Sequence, residues 1–256
     1  MICQYCNTKV PPNREICPNN DCYRPIKTIP VPPGGKARFG GYDWYVLEKL
    51  EGKILILTEK VIEKRVYHRR EGEITWETCD MRKYLNGEFY NSFGTSDRKR
   101  IIEVVNENTH NPWYGTHGGN PTIDKIFLLS IDEVLKYFGD SGSLKNRYPV
   151  ADDEDYSKWC KDEYLPWIDD QYSINRRAVD DAGMVVGWSL RSPGANGRLV
   201  ASVSGNCGDE FDHGVLGVAG GGGDMVDGHF IFDTVDVLHV TKNINGVRPA
   251  LWLRTD

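Results

Sequence analysis

Apolar and polar positions follow two different periods along this chain, and each change of period marks an element. In "YDWYVLEKLEGKILILTEKVI", Tyr42 to Ile62, two apolar-rich stretches flank Glu51-Gly52. That arrangement predicts a β-hairpin. "TWETCDMRKYLNGEFYNSF" follows, with Met81, Tyr84, Leu85 and Phe89 at helical spacing and Thr78 placed to cap. A second short helix is expected from about Ser96. "KIFLLS", Lys125 to Ser130, reads as a buried strand. It runs into "SIDEVLKYFG", a helix with a capping box from Ser130 to Glu133. Its apolar face is Ile131, Val134, Leu135 and Phe138, and Gly139 ends it. Between Asp152 and Asp170 the chain is acidic and aromatic, which predicts a solvated helix or loop. After Gly183 short strand patterns alternate with turn residues: "MVVGWSLRS", "RLVASVSG", "GVLGVAGGGG", "HFIFDTVDVLHV" and "GVRPALWLR". Helices in the middle with strands at both ends predict an α+β fold.

Composition sharpens this picture at a few points. With 256 residues the chain suits one sizeable domain and a small appendage. Apolar residues reach only 39%, but seven Trp and thirteen Tyr can fill a core with few positions. The 27 glycines point to a body rich in turns. A net charge of −6 disfavours nucleic acid and anionic membranes as partners of the main domain. No run approaches the ~18 apolar residues of a membrane span. "MICQYCNTKV" has no basic-then-apolar leader, so a cytoplasmic location is expected.

Four of the seven cysteines fall at the start: Cys3, Cys6, Cys17 and Cys22. The spacing is C-x2-C followed by C-x4-C. Thiolates two residues apart on a tight turn reach one ion, and two such turns complete a tetrahedron of sulfur that suits Zn²⁺. A segment this short has no core of its own, so the structural zinc would supply most of its folding free energy. The expected organisation is a zinc ribbon over residues 1–27, a Pro/Gly linker over 28–35 and one large domain over 36–256. The other three cysteines, Cys79, Cys160 and Cys207, are far apart, and an odd total argues against a disulfide framework.

The usual catalytic constellations do not assemble. Ser189 and Ser192 lack the G-x-S-x-G elbow, and Pro193 pushes Ser192 towards an extended conformation. His110 and His117 have a separation that fits neither a helical nor a common metal pair, so both are read as loop residues. "AGGGGD" lacks the Lys-Ser/Thr of a phosphate loop. The acidic 152–170 stretch lacks the ordered spacing of a calcium loop.

"YDWYVLE", "TWETCDMRKYLNGEFY", "KIFLLSIDEVLKYF", "WSLRSPG" and "GVRPALWL" occur in that order. Together they resemble an uncharacterised bacterial and phage domain family with a C-type-lectin-like fold. That fold is similar to formylglycine-generating enzymes and to the variable proteins of diversity-generating retroelements. One departure is Ser189, where the family pattern carries a second tryptophan before Leu-Arg-Ser-Pro. The resemblance implies a domain closed by pairing its first and last strands, here "YDWYVLE" and "RPALWLR". It makes "GWSLRSPG" a wall, with Trp188 and Leu190 in the core, and Trp252 is expected to be buried as well. Arg191 and Arg248 are expected to pin loops through carbonyls and carboxylates.

The implied function is non-catalytic binding of an unknown protein or surface ligand, as in a retroelement-diversified variable protein. The recognition surface would lie in residues 195–245. Its expected ligand-binding residues are Asp209, Phe211, His213, His229 and Phe232. Two alternatives stand beside it. One is a formylglycine-generating-type oxidase, which needs a late cysteine pair where only Cys207 is present. The other is a zinc-ribbon adaptor with a sensory body.

Overall fold

The computed structural model describes residues 2–12, 14, 17–19, 22, 24–25, 29–70, 72–145, 167–204, 216–217, 225–226, 229–230 and 244–255. These combine helices with two main sheets, an α+β architecture. The first sheet starts with β1 (Lys36–Phe39), β2 (Tyr42–Leu50) and β3 (Lys53–Thr58), all antiparallel. Glu51 and Gly52 form the turn from β2 to β3, and Gly52 takes the left-handed backbone (φ 71°) that such a turn requires.

The middle of the chain brings β4 (Glu63–Val66), then α1 (Asp80–Tyr84), which runs through a π-helical turn (Leu85–Phe89) into α2 (Tyr90–Ser92). The cap of α1 is Cys79, one residue beyond the expected Thr78: its Sγ accepts the Arg82 N–H at 3.3 Å. Next come α3 (Thr95–Arg100), β5 (Ile101–Ile102), and the hairpin of β6 (Val104–Asn106) with β7 (Thr122–Asp124). "KIFLLS" is buried as expected but forms no regular strand. It is tied to the last strand by one pair of bonds, Phe127 N–H to Ala250 O (2.9 Å) and the reverse (2.7 Å). α4 (Ile131–Phe138) starts with both halves of the Ser130–Glu133 capping box and buries Ile131, Val134, Leu135 and Phe138, as the periodicity predicts.

The second sheet takes in β4 and β8 (Trp167–Ile168); after β8 come α5 (Ser173–Arg176) and the separate hairpin of β9 (Ala178–Val179) with β10 (Val185–Val186). The sheet also uses β11 (Trp188–Pro193), β12 (Val200–Val203) and β13 (Leu216–Gly217). β14 (Met225–Val226) and β15 (His229–Phe230) pair apart from it, and β16 (Ile244–Val247) and β17 (Ala250–Arg254) complete the chain. The strand order is β4-β16-β11-β12-β13-β8. β11 and β16 run parallel, and Gly246 N–H bonds Gly187 O at 3.0 Å. A Cβ on Gly246 would lie 2.3 Å from that carbonyl, so only glycine lets these strands approach.

The first sheet has the order β1-β2-β3-β17-β5. The terminal strands therefore share a sheet, but "YDWYVLE" and "RPALWLR" do not pair directly, contrary to expectation. β17 lies between β3 and β5, with Leu251 opposite Ile56 and Trp252 opposite Leu55 and Ile102. The two edges of β2 are already taken by β1 and β3. Alternation along β17 buries Leu251 and Leu253 and leaves Trp252 only half-buried, with Lys53 Nζ 4.7 Å from its ring centre. Trp252 was expected to be buried; it packs against the core but keeps part of its surface exposed.

Both sheets and α4 contribute to one contiguous apolar core that includes Trp44, Leu57, Trp76, Phe138, Trp188 and Leu251. The stretch expected as a linker ends in a turn fixed to the body. Gly35 N–H bonds Pro32 O (2.9 Å), and Gly35 O accepts the Val46 N–H (2.9 Å). Among the described residues no helix is long and apolar enough to cross a membrane.

Candidate functional site

Four cysteines expected to bind metal come together. The Sγ atoms of Cys3, Cys6, Cys17 and Cys22 all lie within 4.8 Å of one another. Cys3 and Cys22 are 3.8 Å apart and Cys6 and Cys17 are 3.4 Å apart, too far for disulfides, which need about 2.05 Å. Four sulfurs placed tetrahedrally at about 2.3 Å from an ion would be separated by about 3.8 Å, so the spacing fits a metal.

The local backbone explains how two turns meet. Asn7 N–H bonds Cys3 O and Cys3 N–H bonds Thr8 O, both at 2.9 Å, which curls the first turn around its sulfurs. Asn7 adopts φ 60°, a left-handed conformation that asparagine tolerates. In the second turn Cys22 N–H bonds Asn19 O (2.8 Å) and Cys17 N–H bonds Arg24 O (3.0 Å). Burial pushes the Cys17 thiol up to about 12 and raises Cys22, whereas Cys6, 3.2 Å from the Thr8 hydroxyl, is lowered to about 6. Buried thiolates need a cation beside them, and a dication among four sulfurs supplies it. Arg24 connects this unit to the body, donating to Ala182 O at 2.9 and 3.2 Å.

"GWSLRSPG" is a wall. Every residue of β11 is buried. Trp188 donates its indole N–H to Arg176 O (3.0 Å), and Ser192 Oγ accepts the Ile131 N–H (3.0 Å). Arg191 donates to Leu128 O (2.8 Å) and forms a two-pronged pair with the Glu133 carboxylate. Arg248, fully buried, bonds Thr58 O (2.9 Å) and Glu59 O (3.3 Å) beneath the rings of Trp188, Tyr45 and Phe138. Both arginines therefore pin loops, as expected. Cys79 is buried and its thiol is pushed up to about 12 by desolvation, so it is inert. His110 and His117 are exposed with ring centres 4.7 Å apart, and among the described residues no third ligand joins them.

Of the expected ligand-binding residues, Asp209, Phe211, His213 and Phe232 lie outside the described residues, as do Cys160 and Cys207. His229 begins β15 opposite Val226, and its side chain is likewise not described.

Two clusters have no counterpart in the sequence analysis. In the first, the carboxylate of Asp124 is fully buried. It accepts from Trp76 Nε1 (2.9 Å), Arg82 Nε (2.6 Å), Asn106 Nδ2 (2.9 Å) and the Thr122 hydroxyl (2.7 Å). Asn86, in the π-helical turn, fixes the next residues by donating to Ile126 O and accepting the Lys125 N–H. Trp76 and Arg82 of "TWETCDMRKYLN" thus meet Asn106 and Thr122 on one carboxylate. These donors come from the approach to α1, α1 itself, β6 and β7, so no local pattern in the sequence joins them.

The second cluster is a cleft of about 610 Å³ between β4 and α1, lined by Arg65, Val66, His68, Arg69, Arg70, Asp80, Lys83, Tyr84 and Glu88. Asp80 accepts the Arg69 N–H at 3.0 Å and Lys83 Nζ at 3.3 Å. His68 Nδ1 lies 3.2 Å from Asp80 Oδ2. Arg65 is held by Glu63 (3.1 Å) and stacks 3.6 Å from the centre of the Tyr84 ring.

These features define an α+β domain preceded by a four-cysteine cluster. The chain belongs to a domain family of unknown function (DUF6273), whose profile matches residues 51–255. No curated protein and no solved structure matches it.

Proposed function

We propose that the chain is a non-catalytic binding module. In this reading its body is a C-type-lectin-like scaffold that presents a recognition surface from residues 195–245 to a protein or surface ligand. The N-terminal cysteines hold a structural Zn²⁺, the metal that an all-thiolate tetrahedral set suits best. The observation that carries the reading is β11. The segment that most resembles a reactive motif, with Ser189, Arg191 and Ser192, is buried and committed to holding α4 and the preceding loop. A rigid wall next to a long glycine-rich stretch is how recognition loops are commonly mounted.

The test is a joint replacement of Phe211, His213 and His229 by alanine. Partner capture from host lysate should weaken at least tenfold, about 1.4 kcal/mol, with the thermal midpoint nearly unchanged. Unfolding of the variant would make these residues core, and undiminished capture would move the surface elsewhere. Diversification predicts a reverse transcriptase gene and a near-copy of the late coding segment nearby. One observation favours the adaptor reading: Ile2 (67% exposed) and Tyr5 (51%) lie on the surface of the cysteine unit, a site for a docking partner.

A further inference from the structure

We propose that the cleft between β4 and α1 binds a small phosphate ester. The residues that line it lie outside 195–245, although Arg65 and Val66 on β4 pair with Asn245 and Ile244 of β16, and the proposal does not depend on the binding-module reading. At about 610 Å³ the cleft has the size of a small-molecule pocket. Its charge is unlike that of the chain, whose net charge is −6. Four cationic side chains line it, Arg65, Arg69, Arg70 and Lys83, against the carboxylates of Asp80 and Glu88.

Not all four cations are available. Arg65 is tied to Glu63, and Lys83 to Asp80. Asp80 itself is engaged by the Arg69 backbone and by Lys83. Burial raises its pKa, but those bonds outweigh burial and hold it below the usual range, so it stays a carboxylate. The guanidiniums of Arg69 and Arg70 remain. Both are exposed, and among the described residues neither has an ion pair or side-chain hydrogen bond. Consecutive in the chain and both lining the cleft, these two guanidiniums can supply donors to the oxygens of a phosphate. One wall is organic rather than charged: Val66 and the Tyr84 ring, its position fixed by the Arg65 stack, offer a surface for the rest of the ligand. This wall and the concave shape favour an ester over the bare ion, and a small molecule over an extended chain.

Calorimetric titration of the full chain at fixed ionic strength tests the proposal, with inorganic phosphate, adenosine monophosphate and glucose 6-phosphate as probes. At least one ester should bind saturably, one per chain, and more tightly than inorganic phosphate. The double variant R69Q/R70Q should weaken that binding at least tenfold with an unchanged thermal midpoint, and the distant variant K49Q/K99Q should leave it intact. If the double variant does not fold, Arg69→Gln and Arg70→Gln singly decide by the same criterion. No saturable binding of either ester at millimolar concentration overturns the proposal. So does equal weakening by both double variants, or binding that R69Q/R70Q leaves unchanged. A phosphoserine peptide that binds more tightly than either ester overturns the small-molecule assignment.

Discussion

Asp124 and Asp170 are both buried carboxylates, yet they differ in what surrounds them. Asp124 collects donors from three segments and is a hub of the fold. Asp170 sits between Arg176 Nη2 (2.9 Å) and the Ser141 hydroxyl (2.7 Å), and it also caps the Tyr172 N–H at 2.9 Å. Burial raises the pKa of Asp170, but the bonds from Arg176 and Ser141 outweigh it, and the net shift is downward. A carboxylate with a depressed folded-state pKa contributes stability that is fully present above its unfolded value of about 3.9 and is lost as pH falls through the lower folded value. Asp170→Asn should therefore be less stable than wild type at neutral pH, and the gap should narrow below roughly pH 4. Urea denaturation as a function of pH reads this directly, and a gap that stays constant into acid would refute it.

At the level of elements, α4 shows how a local signal acquires a tertiary role. Its capping box needs only Ser130 and Glu133, with Ser130 N–H donating to Glu133 Oε2 at 2.8 Å. In the folded chain that carboxylate also receives the Arg191 guanidinium from β11, and Arg191 is only 5% exposed. The two mutations should then differ in size. Ser130→Ala removes one cap, which costs about 1 kcal/mol. Glu133→Ala removes the other half of the box and strands a buried cation, which costs about 3–5 kcal/mol. Chemical denaturation of the two variants checks the order, and equal costs would mean that Arg191 finds another partner.

For the molecule as a whole, the cysteine unit and the body have separate cores. Cys3, Val10, Cys17 and Cys22 pack with one another and not into the main cluster. Zinc should therefore be present at about one equivalent per chain and be lost in Cys17→Ser. Chelation should open residues 1–27 to proteolysis while a fragment beginning near Lys36 survives, because metal binding is folding free energy only for the part that lacks a core. If the body melts with the metal, the two parts are one cooperative unit, and the Arg24–Ala182 contact is the place to look for the coupling.

What the sequence determined by itself was local in origin. The C-x2-C and C-x4-C spacings place sulfurs on tight turns, and the Glu51-Gly52 turn and the Ser130–Glu133 box depend on neighbours within a few residues. The same holds for the apolar face of α4. Pairing between distant strands and convergence of polar side chains had no such local source. Only the tertiary structure placed β17 between β3 and β5 and turned Trp252 half outward. It also gathered Trp76, Arg82, Asn106 and Thr122 on Asp124 and opened a basic cleft beside Asp80. The physical reason is range: turns and caps form between residues close in the chain, whereas strand order and buried charge are settled when segments far apart compete for the same edge, the same volume and the same carboxylate.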